Sequence, residues 1–111
     1  MGSLANFESL SDSKEFSSVY KDAKRWHSEV CVLFYKPSIQ NKLAVVASKK
    51  VGKAVVRNRA KRLLRAVFLE VCDELESGIY VIVAKNGLNE FRFDKIQKNV
   101  RWSLKKLGCL K

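Results

Sequence analysis

"KKVGKAVVRNRAKRLLRAVF", residues 49–68, decides how this chain is to be read. Between Lys49 and Arg65 it carries eight basic residues and no acid, yet apolar residues recur at spacings of three and four, the pattern of a helix with one face on a core. On a wheel of 100° per residue, Val56, Ala60, Leu63, Leu64, Val67 and Val71 gather on one side. Arg57, Lys61 and Arg65 form an i, i+4, i+8 line beside them, and Asn58 and Arg62 form a second line one step round. Arg59 points away from this stripe, toward a different surface or a turn near the helix start. Like charges at i, i+4 destabilise a helix by a few tenths of a kcal/mol per pair, roughly. A face with no interleaved acids therefore calls for an anionic partner. Lys49, Lys50 and Lys53 stand just upstream, where a strand turns into the helix and Gly52 lets the backbone bend. Free amides at the positive end of the helix dipole make such a turn a phosphate site. Asn58, flanked by two arginines, serves either as a cap or backbone ligand, or as a contact to a base, sugar or metal-bound water.

Working outward, 111 residues give room for one domain and one core, without a separate catalytic module. Two Trp, three Tyr and six Phe within an apolar fraction of 47% argue for a folded globule. The formal net charge of +11 favours a polyanionic partner, nucleic acid ahead of an anionic membrane surface or an acidic protein. No apolar run reaches the roughly 18 to 20 residues that span a bilayer, and "MGSLANFESL" lacks the order of a signal peptide. Asn6 stands where a myristoylation motif wants Ser or Thr. Cys31, Cys72 and Cys109 are odd in number and lack metal-ligand spacing, so they read as reduced thiols of a cytoplasmic protein.

Ser11 or Ser13 can cap a first helix running to about Lys24, with Phe16, Val19, Tyr20 and Ala23 on one face. Val30 to Lys36 and Lys42 to Ser48 read as strands, joined as an antiparallel hairpin by "KPSIQN". The basic helix is expected from about Lys53 to Leu75, stopping near Ser77-Gly78 with the glycine as its C-terminal turn. A buried strand follows from Ile79 to Lys85, then a last helix capped by Asp94 with Gln97 three residues on and Gly108 just past its end. The order helix-strand-strand-helix-strand-helix gives a single α+β domain over residues 1–111, with 1–9 as a flexible N-terminal segment.

At these residues the sequence resembles the bacterial ribonuclease P protein subunit, whose signature is a lysine pair, a glycine turn and an Arg-Asn-Arg helix start followed by Lys-Arg and a further Arg. Here it stands as "SKKVGKAVVRNRAKRLLRAVF", Ser48 to Phe68. "EFSSVY" resembles the first-helix pattern of two aromatics four apart, and "VLF" a strand pattern ending in an aromatic. The likeness covers about residues 10 to 107. It implies a small sheet with a left-handed strand-helix-strand crossover around the basic helix, like one domain of a ribosomal protein; patterning alone favours the right-handed form. It also implies that an RNA is the catalyst, and that the protein binds beside the RNA's core. RNA contact then falls to Lys49, Lys50, Lys53, Arg57, Asn58, Arg59, Lys61, Arg62 and Arg65, and a cleft of Phe16, Tyr20 and Phe34 takes the single-stranded 5′ leader of precursor tRNA. Aromatic faces suit unpaired nucleotides because every base has a π-face; Phe16 fits the core equally well. Two positions depart from the family pattern: Ser9 precedes Leu10 where a basic residue is usual, and Ala44 replaces a glycine.

Nothing in the sequence forms a nuclease centre of its own. Asp73, Glu74 and Glu76 cluster at the far end of the basic helix, and His27, the only histidine, has Arg25 and Trp26 for neighbours. Hydrolysis then uses Mg²⁺ held mainly by the partner RNA, and neither a membrane nor an obligate protein partner is called for. Two other classes fit the charge: a ribosomal or general RNA-binding protein without a part in tRNA processing, and a DNA-binding helix module.

Overall fold

Eight elements follow one another in the structure, a computed structural model that describes residues 7–10 and 12–110. They are β1 (Glu8–Ser9), α1 (Ser13–Asp22), β2 (Lys24–His27), β3 (Cys31–Pro37), β4 (Lys42–Val46), α2 (Ala54–Val71), β5 (Gly78–Ala84) and α3 (Phe93–Lys106). The expected α+β order is present, with β1 and β2 as two further strands. All five strands join one sheet in the order β1-β4-β5-β3-β2.

β5 explains that order. Its run from Ile79 to Ala84 is apolar on both faces, which suits only a central strand. Tyr80 and Ile82 point into a core shared with Leu64, Val67 and Phe68 of α2 and with Ile96, Val100 and Leu104 of α3. Val81 points the other way, into a smaller core with Val19 of α1, Leu10, Phe34 and Ala44. The sheet thus carries α1 on one face and α2 with α3 on the other.

The expected hairpin of β3 with β4 does not form. The two strands run in opposite directions, as the loop after Pro37 predicts, but β5 lies between them, antiparallel to β3 and parallel to β4. Gly78 makes the insertion possible: a Cβ there would stand 2.6 Å from both the Lys36 carbonyl oxygen and a Tyr35 ring carbon, at a φ of 156°. Its amide donates to Asn41 Oδ1 at 3.1 Å, so the loop between β3 and β4 seats the start of β5. Gly78 is therefore a strand residue and not the C-terminal turn of the basic helix; α2 ends at Val71 and passes into a 3-10 turn, Cys72–Glu74.

Helix ends show further differences. Asp12, not Ser13, caps α1, its Oδ1 accepting from the Lys14 amide at 2.9 Å; Ser11 lies outside the described residues. α3 starts one residue before Asp94, so Arg92 takes the cap position and Asp94 sits within the first turn. Gly108 follows the end of α3 as expected, at φ 76°. On α2, Ala60, Leu64, Val67 and Val71 are buried as expected, and Phe68 joins them, its ring 5.4 Å from that of Tyr80. Val56 and Leu63 are half-buried at the core's margin. Of the segment expected to be flexible, Phe7 packs edge-on against Phe68 at 5.2 Å and Glu8–Ser9 pair with Lys42 and Leu43, so the sheet begins before Leu10.

Candidate nucleic-acid interface

The entrance to α2 is built from a short 3-10 turn, Lys49–Val51, and Gly52. Gly52 adopts φ 144°, and a Cβ there would come within 3.1 Å of the Val56 side chain. Lys53 takes the cap position, makes no side-chain capping bond, and is followed by a first turn without acids. The Arg57 amide is bonded to the Lys53 carbonyl at 2.9 Å, and the helical amides before it face the positive end of the dipole with no carboxylate to cap them. Lys49, Lys50 and Lys53 are all exposed around this turn.

Along α2, Asn58, Arg59, Arg62 and Arg65 are exposed, and Arg57 and Lys61 are half-buried. Asn58 lies inside the helix, so it does not cap it. Arg57 Nε is buried without a hydrogen-bond partner among the described residues. Among those residues no ion pair engages a basic side chain of α2. Acids are directed elsewhere: Glu15 to Lys42 at 2.8 Å, Glu29 to Lys95 at 3.4 Å and Glu74 to Arg101 at 2.8 Å. The unneutralised stripe read from the sequence is thus kept in the folded chain.

On the opposite face of the sheet, α1 is held by two lysines from the strands. Lys36 Nζ donates to Ser18 Oγ at 2.7 Å, and Lys42 Nζ donates to both Glu15 oxygens, at 2.8 and 3.0 Å. The Glu15 hydrogen bond raises the Lys42 pKa. Beside this anchor, Tyr20 is 41% exposed, its ring 4.9 Å from that of Phe34 in an edge arrangement and 6.1 Å from that of Phe16. Partial burial raises the Tyr20 hydroxyl's pKa. The three aromatics named from the sequence are therefore together, but in unequal roles. Phe34 is only 8% exposed and belongs to the small core beneath Tyr20, so it supports a platform and does not present one.

Phe16 lines a cleft of about 290 Å³ at the β1–β4 edge, together with Phe7, Leu10, Leu43 and Arg65. There the basic stripe of α2 and the aromatic face of α1 meet. Ser9 and Ala44, the two departures from the family pattern, line the same cleft. Sequence reasoning missed it because β1 carries no periodic signal. Beyond α1 the sheet face continues through half-buried Val32, Val46 and Val83. Arg25 and His27 on β2 pair with Phe34 and Val32, which places these exposed side chains on that same face.

The chain's thiols offer no nucleophile. Cys31, Cys72 and Cys109 are buried, and burial pushes Cys31 up to about 11 and Cys109 up to about 12. Among the described residues no three His, Cys, Asp or Glu side chains converge as metal ligands. None of the described helices is long and apolar enough to cross a membrane.

This arrangement defines a class, a small α+β protein that sets an unneutralised basic helix beside an aromatic sheet face, the layout of a polyanion-binding protein. The family model for ribonuclease P matches residues 4–108. The chain belongs to the ribonuclease P protein family. It is 44% identical over 104 residues to the ribonuclease P protein component of a Nitratiruptor species, covering 94% of this chain and 95% of that one. Its identity to the ribonuclease P protein component of Coprothermobacter proteolyticus is 40% over 79 residues, 71% of this chain and 66% of the relative. Among solved structures, the RNase P protein of Staphylococcus aureus superposes with a TM-score of 0.82 at 21% identity, over 93% of this chain and 97% of that chain, a likeness of fold.

Proposed function

We propose that the chain is the RNA-binding subunit of ribonuclease P, holding the catalytic RNA with α2 and its lysine-rich entrance and taking the unpaired 5′ leader of precursor tRNA on the α1 face. The observation that carries this reading is the stripe from Arg57 to Arg65, which meets no acid among the described residues, while Glu15, Glu29, Glu74 and Asp94 pair with cations outside it. Phosphates satisfy such a stripe by releasing their counterions. Tyr20, backed by Phe34, offers a stacking face of the kind that holds unpaired bases without sequence preference, and the shared cleft of Phe16 and Arg65 gives a strand a continuous path between the two surfaces.

In this reading the protein positions substrate and the RNA performs hydrolysis. Among the described residues no three His, Cys, Asp or Glu side chains converge, so the donor set does not fit a protein-held Mg²⁺, and we assign the ion to the RNA. Buried thiols suit the reducing cytoplasm.

The test mixes the chain with a bacterial ribonuclease P RNA and precursor tRNA at low Mg²⁺. The mixture should release the 5′ leader, and the protein alone should release none. Metal-dependent cleavage by purified protein, surviving replacement of the α2 cations and lost on replacement of acids, overturns the proposal.

A further inference from the structure

We propose that the outer face of α3 is a second binding surface, for single-stranded RNA, in which Trp102 stacks on a base and Lys98 and Lys105 take the flanking phosphates. It goes beyond the reading above, because neither α2 nor the α1 cleft contributes to it. α3 buries Ile96, Val100, Ser103 and Leu104 against the sheet and α2. Its opposite side shows Lys95, Lys98, Arg101, Trp102, Lys105 and Lys106. Glu29 takes Lys95 and Glu74 takes Arg101, but no ion pair among the described residues engages Lys98, Lys105 or Lys106.

Trp102 is 51% exposed. Half of a large indole in water adds little to the core, and its surroundings are cationic: Lys98 stands one turn before it, Lys105 and Lys106 one turn after. Lys106 Nζ lies 4.6 Å from the Trp102 ring centroid and 6.0 Å from that of Trp26 on β2, so one ammonium stands near both indoles of the chain. Lys98, Arg101, Trp102, Lys105 and Leu110 bound a shallow depression of about 390 Å³. Complementing the C-terminal end of the helix dipole accounts for Lys105 and Lys106. It accounts neither for Lys98 nor for the exposure of Trp102. Lys105 Nζ stands 5.8 Å and Lys106 Nζ 4.6 Å from its ring centroid, and an indole ringed by ammonium groups that no carboxylate among the described residues neutralises is a platform for a base with phosphates on both sides.

The experiment uses the full chain carrying Trp26→Phe, which leaves Trp102 as the sole indole. It is titrated with an end-labelled oligouridylate of about ten nucleotides, within the usual 4 to 16 nucleotide footprint. Trp102 emission should be quenched along the same isotherm as the anisotropy of the label. Trp102→Ala should weaken binding about tenfold, whereas Trp102→Phe, which keeps a π-face, should retain most of it. Replacing Lys98 and Lys105 by Gln should lower the salt slope by about 1.4, at ~0.7 per phosphate contact. Tyr20→Ala should leave the Trp102 quenching in place, which separates this surface from the α1 cleft. Rising anisotropy with unchanged Trp102 emission overturns the proposal, as does absence of binding. Emission that changes with protein concentration alone assigns the face to a second copy and also overturns it.

Discussion

Replacing Tyr20 by Ala separates a ligand surface from a core contact. The side chain is 41% exposed and touches its neighbours through two ring contacts, Phe34 at 4.9 Å and Phe16 at 6.1 Å. Aromatic pairs contribute about 0.5 to 1.5 kcal/mol each, so the variant should lose about 1 to 3 kcal/mol of stability and melt about 5 to 15 °C lower. A lost base stack costs about 1 to 3 kcal/mol, which raises the Kd for precursor tRNA about 5- to 150-fold. Mature tRNA, having no leader, should bind as before. Phe34→Ala is the counterpart: at 8% exposure it leaves a cavity, with an expected loss of ~3 to 5 kcal/mol. Tyr20→Phe should behave as the parent if stacking is the whole contribution. The assay is equilibrium binding of both tRNAs to the protein reconstituted with a ribonuclease P RNA, with thermal melting of every variant. Equal weakening for the two tRNAs, or none, in a Tyr20→Ala protein that melts within this range refutes the assignment of the leader to α1.

Single alanine replacements at Arg57, Lys61 and Arg65 should each lower the salt slope of catalytic-RNA binding by ~0.7 to 0.9 with the fold retained; three unchanged slopes reduce the stripe to a solvated surface. Gly52→Ala combines a φ of 144° with a contact of 3.1 Å to Val56, and should destabilise the chain by more than about 1 kcal/mol; an unchanged denaturation midpoint contradicts this. Stability should also fall in alkali. Burial raises the Cys31 thiol from its ordinary 9.0 to about 11, so between those values the unfolded chain sheds a proton that the folded chain keeps, and unfolding gains. This contribution is complete below pH 9 and disappears toward pH 11; urea midpoints across that window should fall more steeply for the parent than for Cys31→Ala, and parallel curves contradict the reasoning.

α2 was legible because its apolar period runs for several turns and its charges have one sign, features that survive any tertiary context. β5 was legible for a related reason, since a strand apolar on both faces announces its central place. Its neighbours were not: the loop after Pro37 signals a reversal of direction, and that reversal is real, but a loop says nothing about whether a third strand enters the gap. Only Gly78, read as a close-approach position rather than a helix stop, carried that information. β1 and β2 consist of "ES" and "KRWH", segments that become strands because an edge partner offers hydrogen bonds, and no local pattern marks them. The family resemblance named Phe34 together with Tyr20 but could not tell that Tyr20 covers it. The cleft that joins Phe16 to Arg65 depends on residues distant in sequence, and so was invisible until the chain was folded.

The insertion of β5 also sets the order in which the chain can be completed. β3 and β4 are made early, yet neither pairs with the other; the edges they turn toward each other are filled only by β5, which pairs Pro37 with Gly78 and Lys42 with Ile79. Until residue 84 has been synthesised, two apolar strands present open edges with a gap of one strand between them, the configuration most prone to pairing with another chain. Such distant pairings fold slowly, because loop closure precedes the contacts that reward it. The nascent chain emerges with its cationic segment, 49–65, already exposed while this gap is still open. Like charge on neighbouring copies opposes such pairing.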